Sequence, residues 1–62
     1  MTVSIENQIL CVKREIMMRK RAYPRWVSDG RMTQEGADKE LAAMQAVLET
    51  LNGLRPQGAL NL

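Results

Sequence analysis

Apolar residues recur in this chain at alternating steps of four and three residues, in two separate stretches. In the second stretch the pattern falls on Ala37, Leu41, Met44, Leu48 and Leu51. In the first it falls on Ile5, Ile9, Val12 and Ile16, and Tyr23 continues it seven residues further on. Such steps place side chains on one side of a helix, with the period of about 3.5 residues that coiled coils use. The sequence therefore predicts an all-α protein of two amphipathic helices.

Cap and turn residues set the expected limits of these helices. Ser4 suits the N-cap of a first helix over about 4–23, where Pro24 predicts an end or a kink, followed by one further turn to 28. Asp29-Gly30 is a strong turn dipeptide, so we expect the turn at 29–32, with Gly30 in the left-handed conformation that ends a helix. Thr33 is the predicted N-cap of a second helix over about 33–52. We expect 1–52 to form the hairpin and 53–62 a flexible tail.

Two helices joined by a short turn fold back as an antiparallel hairpin. A domain of 62 residues buries little surface and usually needs disulfides, a metal or association for stability. Cys11 is the only cysteine and there is no histidine, so the sequence predicts neither an internal disulfide nor a zinc site. Association remains, and we expect two hairpins to complete a four-helix bundle as a homodimer or to form a higher oligomer.

A second apolar stripe on the first helix supports this expectation. Val3, Leu10 and Met17 recur every seven residues, and Cys11 and Met18 lie beside them. Because one partner helix cannot cover both stripes, we predict an oligomer interface formed by Leu10, Met17 and Met18. The alternative is that the two methionines are simply exposed, as single apolar residues often are. Cys11 is predicted to be a small buried hydrophobic residue with no redox role.

Several functional classes lack the residues they need. Without histidine, Ser-His and Cys-His nucleophile pairs cannot form, and no glycine-rich phosphate loop is present. We therefore predict no catalytic, cofactor-binding or metal-binding residue. No apolar run reaches the roughly 18 residues that span a bilayer, and the start MTVSIENQ lacks the features of a signal peptide. The expected location is the cytoplasm, with no membrane partner.

The charge is unevenly distributed along the chain. Seven basic residues and two acidic ones lie between Lys13 and Arg31, which gives this segment a charge of +5, whereas the remainder carries −3. Near the predicted hairpin tip, this segment also contains both aromatic residues, Tyr23 and Trp26. Arginine and tryptophan are favoured anchors of protein interfaces. The predicted partner-binding residues at the tip are Arg21, Arg25, Trp26 and Arg31. The plainer alternative is a solvated basic face, with the two aromatic rings closing the end of a thin core.

The stretch from Glu15 to Leu51 also resembles a known group of proteins. It contains EIMMRKRAYPRWVSDGRMT, followed by ADKEL and AVLETL. This pattern is similar to that of small helical-hairpin proteins from phages and prophages of proteobacteria. The most specific part is Tyr23-Pro24-Arg25-Trp26-Val27 together with Gly30-Arg31-Met32-Thr33. The resemblance implies a host-cell cytoplasmic setting and carries over no functional residue.

The leading functional hypothesis is a small non-catalytic phage or prophage protein. It would bind a host protein, such as a defence system or a regulator, and inhibit or modulate it. One alternative is a nucleic-acid-binding hairpin dimer that uses the basic segment 13–31, in the manner of the Rop-type bundles that hold RNA. Another is a small structural subunit of a larger assembly.

Overall fold

The computed structural model describes residues 2–55, which form two helices: α1 (Ile5–Ser28) and α2 (Gln34–Gly53). The helices pack against each other as a helical hairpin, and no strand is present within 2–55. The predicted all-α hairpin is therefore confirmed. The hairpin is elongated, with extents of 45 × 23 × 20 Å. The predicted tail begins at 53, where α2 ends, and its residues 56–62 lie outside the described part.

Both helices begin at the predicted N-cap residues. The Ser4 hydroxyl accepts a hydrogen bond from the backbone N–H of Asn7, at 3.1 Å. The Thr33 hydroxyl accepts one from the backbone N–H of Gly36, at 2.9 Å. Each contact satisfies a donor that has no partner within the first turn of a helix.

Helix α1 continues through Pro24 to Ser28, where the sequence had suggested an end or a kink near Tyr23. Proline inside a helix removes one hydrogen bond and costs about 3 kcal/mol. The turn around Pro24 nevertheless packs on α2, because Tyr23 and Val27 share a small cavity with Ala37 and Leu41. Contact with α2 thus offsets the local preference of proline for ending the helix.

A Schellman motif ends α1, as the Asp29-Gly30 dipeptide predicts. The N–H of Gly30 donates to the carbonyl of Val27 at 3.1 Å, and the N–H of Arg31 donates to the carbonyl of Trp26 at 2.8 Å. Gly30 has a φ of 78° and therefore lies in the left-handed region that glycine tolerates best. This motif reverses the chain within a few residues, so that α2 returns along α1.

The core between the helices is thin. Among residues 2–55, four are buried: Ile9, Ile16, Tyr23 and Ala37. The other members of the two predicted seams are half-buried: Ile5, Val12, Leu41, Met44, Leu48 and Leu51. Within residues 2–55 the buried residues are all apolar or aromatic, with no buried charged group. Such a small core leaves large apolar side chains outside it.

Candidate protein-binding surfaces

One row of exposed side chains lies on the side of α1 away from α2. Leu10, Arg14, Met17 and Arg21 follow one another at steps of four, three and four residues, so they share one face of the helix. Leu10 and Met17 are 60% and 58% exposed. We call this row the outer face of α1. It alternates an apolar side chain with an arginine.

The surroundings of the outer face are strongly basic. Of the seven basic residues between positions 13 and 31, one forms an ion pair within residues 2–55, namely Arg19 with Glu15. The other six are exposed and make no ion pair with any residue of that range: Lys13, Arg14, Lys20, Arg21, Arg25 and Arg31. Uncompensated arginines are suited to bidentate contacts with carboxylates or phosphates.

Arg19 differs from these six because it occupies a place in the apolar seam of α1. It lies three residues after Ile16 and four before Tyr23, which is the next step of the pattern. Its guanidinium donates to the Glu15 carboxylate, and that hydrogen bond raises the pKa of Arg19 above its ordinary value. The two opposite charges neutralise each other at the edge of the hairpin.

A second row of α1, whose members are exposed or half-buried, is offset from the outer face by one residue, or about 100° around the helix axis. It consists of Cys11, Glu15, Met18, Ala22 and Trp26, at steps of four, three, four and four. From Glu15 onward this row lines a groove of about 320 Å³, together with Arg19 and Tyr23. Met18 is 57% exposed there, nearly the same as Met17 on the outer face.

The same side of the hairpin continues onto α2. A groove of about 550 Å³ near the open end of the hairpin is lined by Cys11 and Val12 of α1 and by Val47 and Leu51 of α2. Val47 of α2 is exposed, and so is Leu54, which lies seven residues further on and caps the end of α2. We call the combined surface the flank. It consists of Cys11, Glu15, Met18, Ala22 and Trp26 on α1, Val47 on α2 and Leu54 just after α2.

The structure divides the four predicted tip residues between different surfaces. Arg21 belongs to the outer face and Arg25 follows it by four residues, and both are exposed, whereas Trp26 lines the flank groove. The Trp26 ring lies against the buried Tyr23, with ring centroids 5.6 Å apart and planes tilted by 41°. Arg31 follows the turn glycine, beyond the end of α1. Trp26 therefore extends the aromatic end of the core onto the flank.

The three predicted interface residues are divided in the same way. Leu10 and Met17 lie on the outer face, and Met18 lies on the flank. The prediction that Cys11 is buried is wrong, because Cys11 is exposed. Its thiol borders the groove at the open end instead of entering the core between the helices.

Sequence reasoning missed the flank as a single surface. The step from Cys11 to Met18 was visible, but the charged Glu15 between them concealed the row. Val47 lies outside the apolar seam of α2, so the spacing of that seam did not reveal that Val47 belongs to the flank. A search for steps of four and three that allows one charged member would have found the row on α1.

Comparisons with known proteins add no family assignment. No protein-family model, curated protein or solved structure matches this chain. Within residues 2–55, no group of three or more cysteine, aspartate or glutamate side chains is placed to hold a metal ion. Neither described helix is both long and apolar enough to cross a bilayer.

Proposed function

We propose that this chain is a non-catalytic binding protein that associates with a second copy and uses the basic side of α1 to hold an acidic surface of another protein. The observation that carries the proposal is the set of six exposed cations without an ion-pair partner in residues 2–55. They are concentrated on α1 and the turn that follows it. Their charges are therefore available to a partner.

Apolar side chains among these cations favour a protein over a polyphosphate as the partner. Leu10 and Met17 alternate with Arg14 and Arg21 along the outer face. A protein surface can bury the apolar side chains while its carboxylates pair with the guanidinium groups. A phosphate backbone would leave Leu10 and Met17 without apolar contacts.

Self-association is the second part of the proposal. The hairpin buries four side chains and leaves Leu10, Met17, Met18, Val47 and Leu54 largely exposed. Two hairpins packed as a four-helix bundle would enlarge the core and supply stability that so small a chain lacks alone.

The resemblance to phage and prophage hairpins suggests a protein of the bacterial host cytoplasm as the target. Inhibition or modulation of a defence system or a regulator is the proposed outcome.

Nucleic-acid binding is the second candidate, favoured by the arginine pair Arg14 and Arg21. They lie seven residues apart, about 10 Å along the helix axis, with Lys13 and Lys20 beside them. Phosphate binding would weaken steeply with added salt, because each neutralised phosphate releases counterions. The acidic residues of α2 count against it. A structural-subunit role would instead need a partner that covers the flank.

The test is capture of proteins from bacterial lysate by the immobilised chain, with and without nuclease. We expect a specific protein to be retained, and the double variant Arg21→Ala/Arg25→Ala to lose it while keeping its helicity. Lys39→Ala is the control, because it removes an exposed cation of α2 that lies away from the basic side. Retention by the double variant equal to that of the parent chain would contradict the proposal. Loss of binding after nuclease treatment would favour nucleic acid instead.

A further inference from the structure

We infer that the flank, and not the outer face, is the surface through which two copies of this chain associate, and that Trp26 and Met18 become buried in that contact. The inference rests on the self-association proposed above and specifies the face that it uses. It leaves the outer face of α1 free in the dimer.

Charge separates the two surfaces. On the α1 part of the flank, the charges are Glu15 and Arg19, which neutralise each other through their ion pair. The outer face carries Arg14 and Arg21, with further unpaired cations on either side. Packing one outer face on another would bring like charges together and bury some of them unpaired, which is costly. Packing one flank on another brings fewer like charges together, because the exposed charges seven residues from Met18 and Val47, Arg25 and Glu40, have opposite signs.

The flank also spans both helices, as an interface in a four-helix bundle must. Groove residues Cys11 and Val12 of α1 meet Val47 and Leu51 of α2 at the open end, and Trp26 and Met18 continue the surface toward the turn. The distance from Cys11 to Trp26 along α1 is about 22 Å. The outer face, by contrast, belongs to α1 alone and would place only one helix of each hairpin in the contact.

The size of this side of the hairpin matches a stable interface. The broad side of the molecule measures 45 by 23 Å. The rectangle that encloses it is therefore about 1,000 Å², which leaves room for the roughly 800 Å² per partner that standard protein interfaces bury. Trp26, half-exposed beside Tyr23, has the size and position of an interface anchor.

Met17 and Met18 provide a matched test, because they are neighbours of the same type with 58% and 57% exposure. Each is replaced by glutamine, which is similar in length, uncharged and equal to methionine in helix propensity. Association of the full chain is measured by light scattering after size exclusion, from micromolar to millimolar concentration. We expect Met18→Gln to weaken dimerisation by at least about tenfold, because each dimer would bury two unpaired amides. Met17→Gln should change it by less than about threefold, as surface substitutions do.

Trp26 supplies a second readout, since it is the only tryptophan of the chain. Its emission should be blue-shifted in the dimer and move to the red on dilution or in Met18→Gln. Emission typical of an exposed indole in the intact dimer would overturn the inference. The inference would also be overturned if Met17→Gln alone weakened the dimer, if both variants weakened it equally, or if neither variant weakened it. A parent chain that is monomeric throughout the concentration range would overturn the proposed self-association itself.

Discussion

The outer face and the flank of α1 are adjacent surfaces that each expose a methionine to nearly the same extent but have different electrostatic surroundings. Leu10 and Met17 on the outer face stand among arginines and lysines that have no ion-pair partner within residues 2–55. Met18 on the flank lines a groove with Trp26 and with an ion pair that neutralises itself. Exposure alone therefore does not identify the use of a surface in this molecule. The charges around an exposed apolar residue decide which partner can cover it.

Three consecutive residues make this comparison concrete. Ile16 is buried against α2, Met17 lies on the outer face, and Met18 lies on the flank. Each step along the chain turns the side chain by about 100°. The same short segment therefore contributes to the core, to a proposed partner-binding surface and to a proposed dimer interface. Substitutions at these positions should have effects of very different size.

The largest effect is expected for Ile16→Ala, which removes a core side chain that is only 5% exposed. Truncating a buried isoleucine to alanine costs about 2–5 kcal/mol in the free energy of unfolding. A hairpin with four buried side chains has little stability to lose, so both the flank and the outer face should lose their shape. Urea unfolding followed by circular dichroism measures the change. A loss below about 1 kcal/mol would mean that the contact between α1 and α2 contributes little to stability.

The sequence was sufficient to predict the two helices, their N-caps and the turn between them. Steps of four and three predicted both helices, and Ser4, Thr33 and Gly30 take the conformations that cap and turn chemistry demands. These features depend on neighbours within one or two turns of the chain. At Pro24 the sequence left open an end or a kink near Tyr23, with one further turn to 28, because the outcome depends on the packing of that turn against α2.

The candidate surfaces were only partly predictable. The basic character of the segment and the exposure of Leu10, Met17 and Met18 could be read from spacing and charge. The grouping of Met18 with Trp26, and of Cys11 with Val47, could not, because it depends on how each helix is rotated about its axis. That rotation is set by which residues enter the core. The position of Arg19 in the seam follows from its spacing, but its ion pair with Glu15 was shown by the structure.

An intermediate effect is expected for Gly30→Ala, which acts on neither surface directly. A β-carbon at this position would meet no neighbour within 4 Å, so the cost comes from the backbone φ of 78° alone. An alanine in the left-handed region costs about 1–2 kcal/mol. Thermal unfolding should report this loss, while the dimerisation constant and partner capture of the folded fraction stay unchanged. An unchanged melting temperature would show that the turn is not held in this conformation in solution.

The smallest effect on stability is expected for Met17→Ala, and it is the most direct check of the outer face. Met17 is 58% exposed and lies on the side of α1 away from α2, so its removal leaves no cavity in the core. Alanine also has the higher helix propensity, and the free energy of unfolding should change by no more than about 0.5 kcal/mol. Urea unfolding at several protein concentrations measures it, with Met18→Ala as the neighbouring control. Because dimerisation stabilises the folded state by mass action, Met18→Ala should lower stability more as the concentration rises. If Met17→Ala instead showed that concentration dependence and Met18→Ala did not, the outer face would be the one covered in the associated protein, and the arginines beside it would have to be neutralised within the dimer.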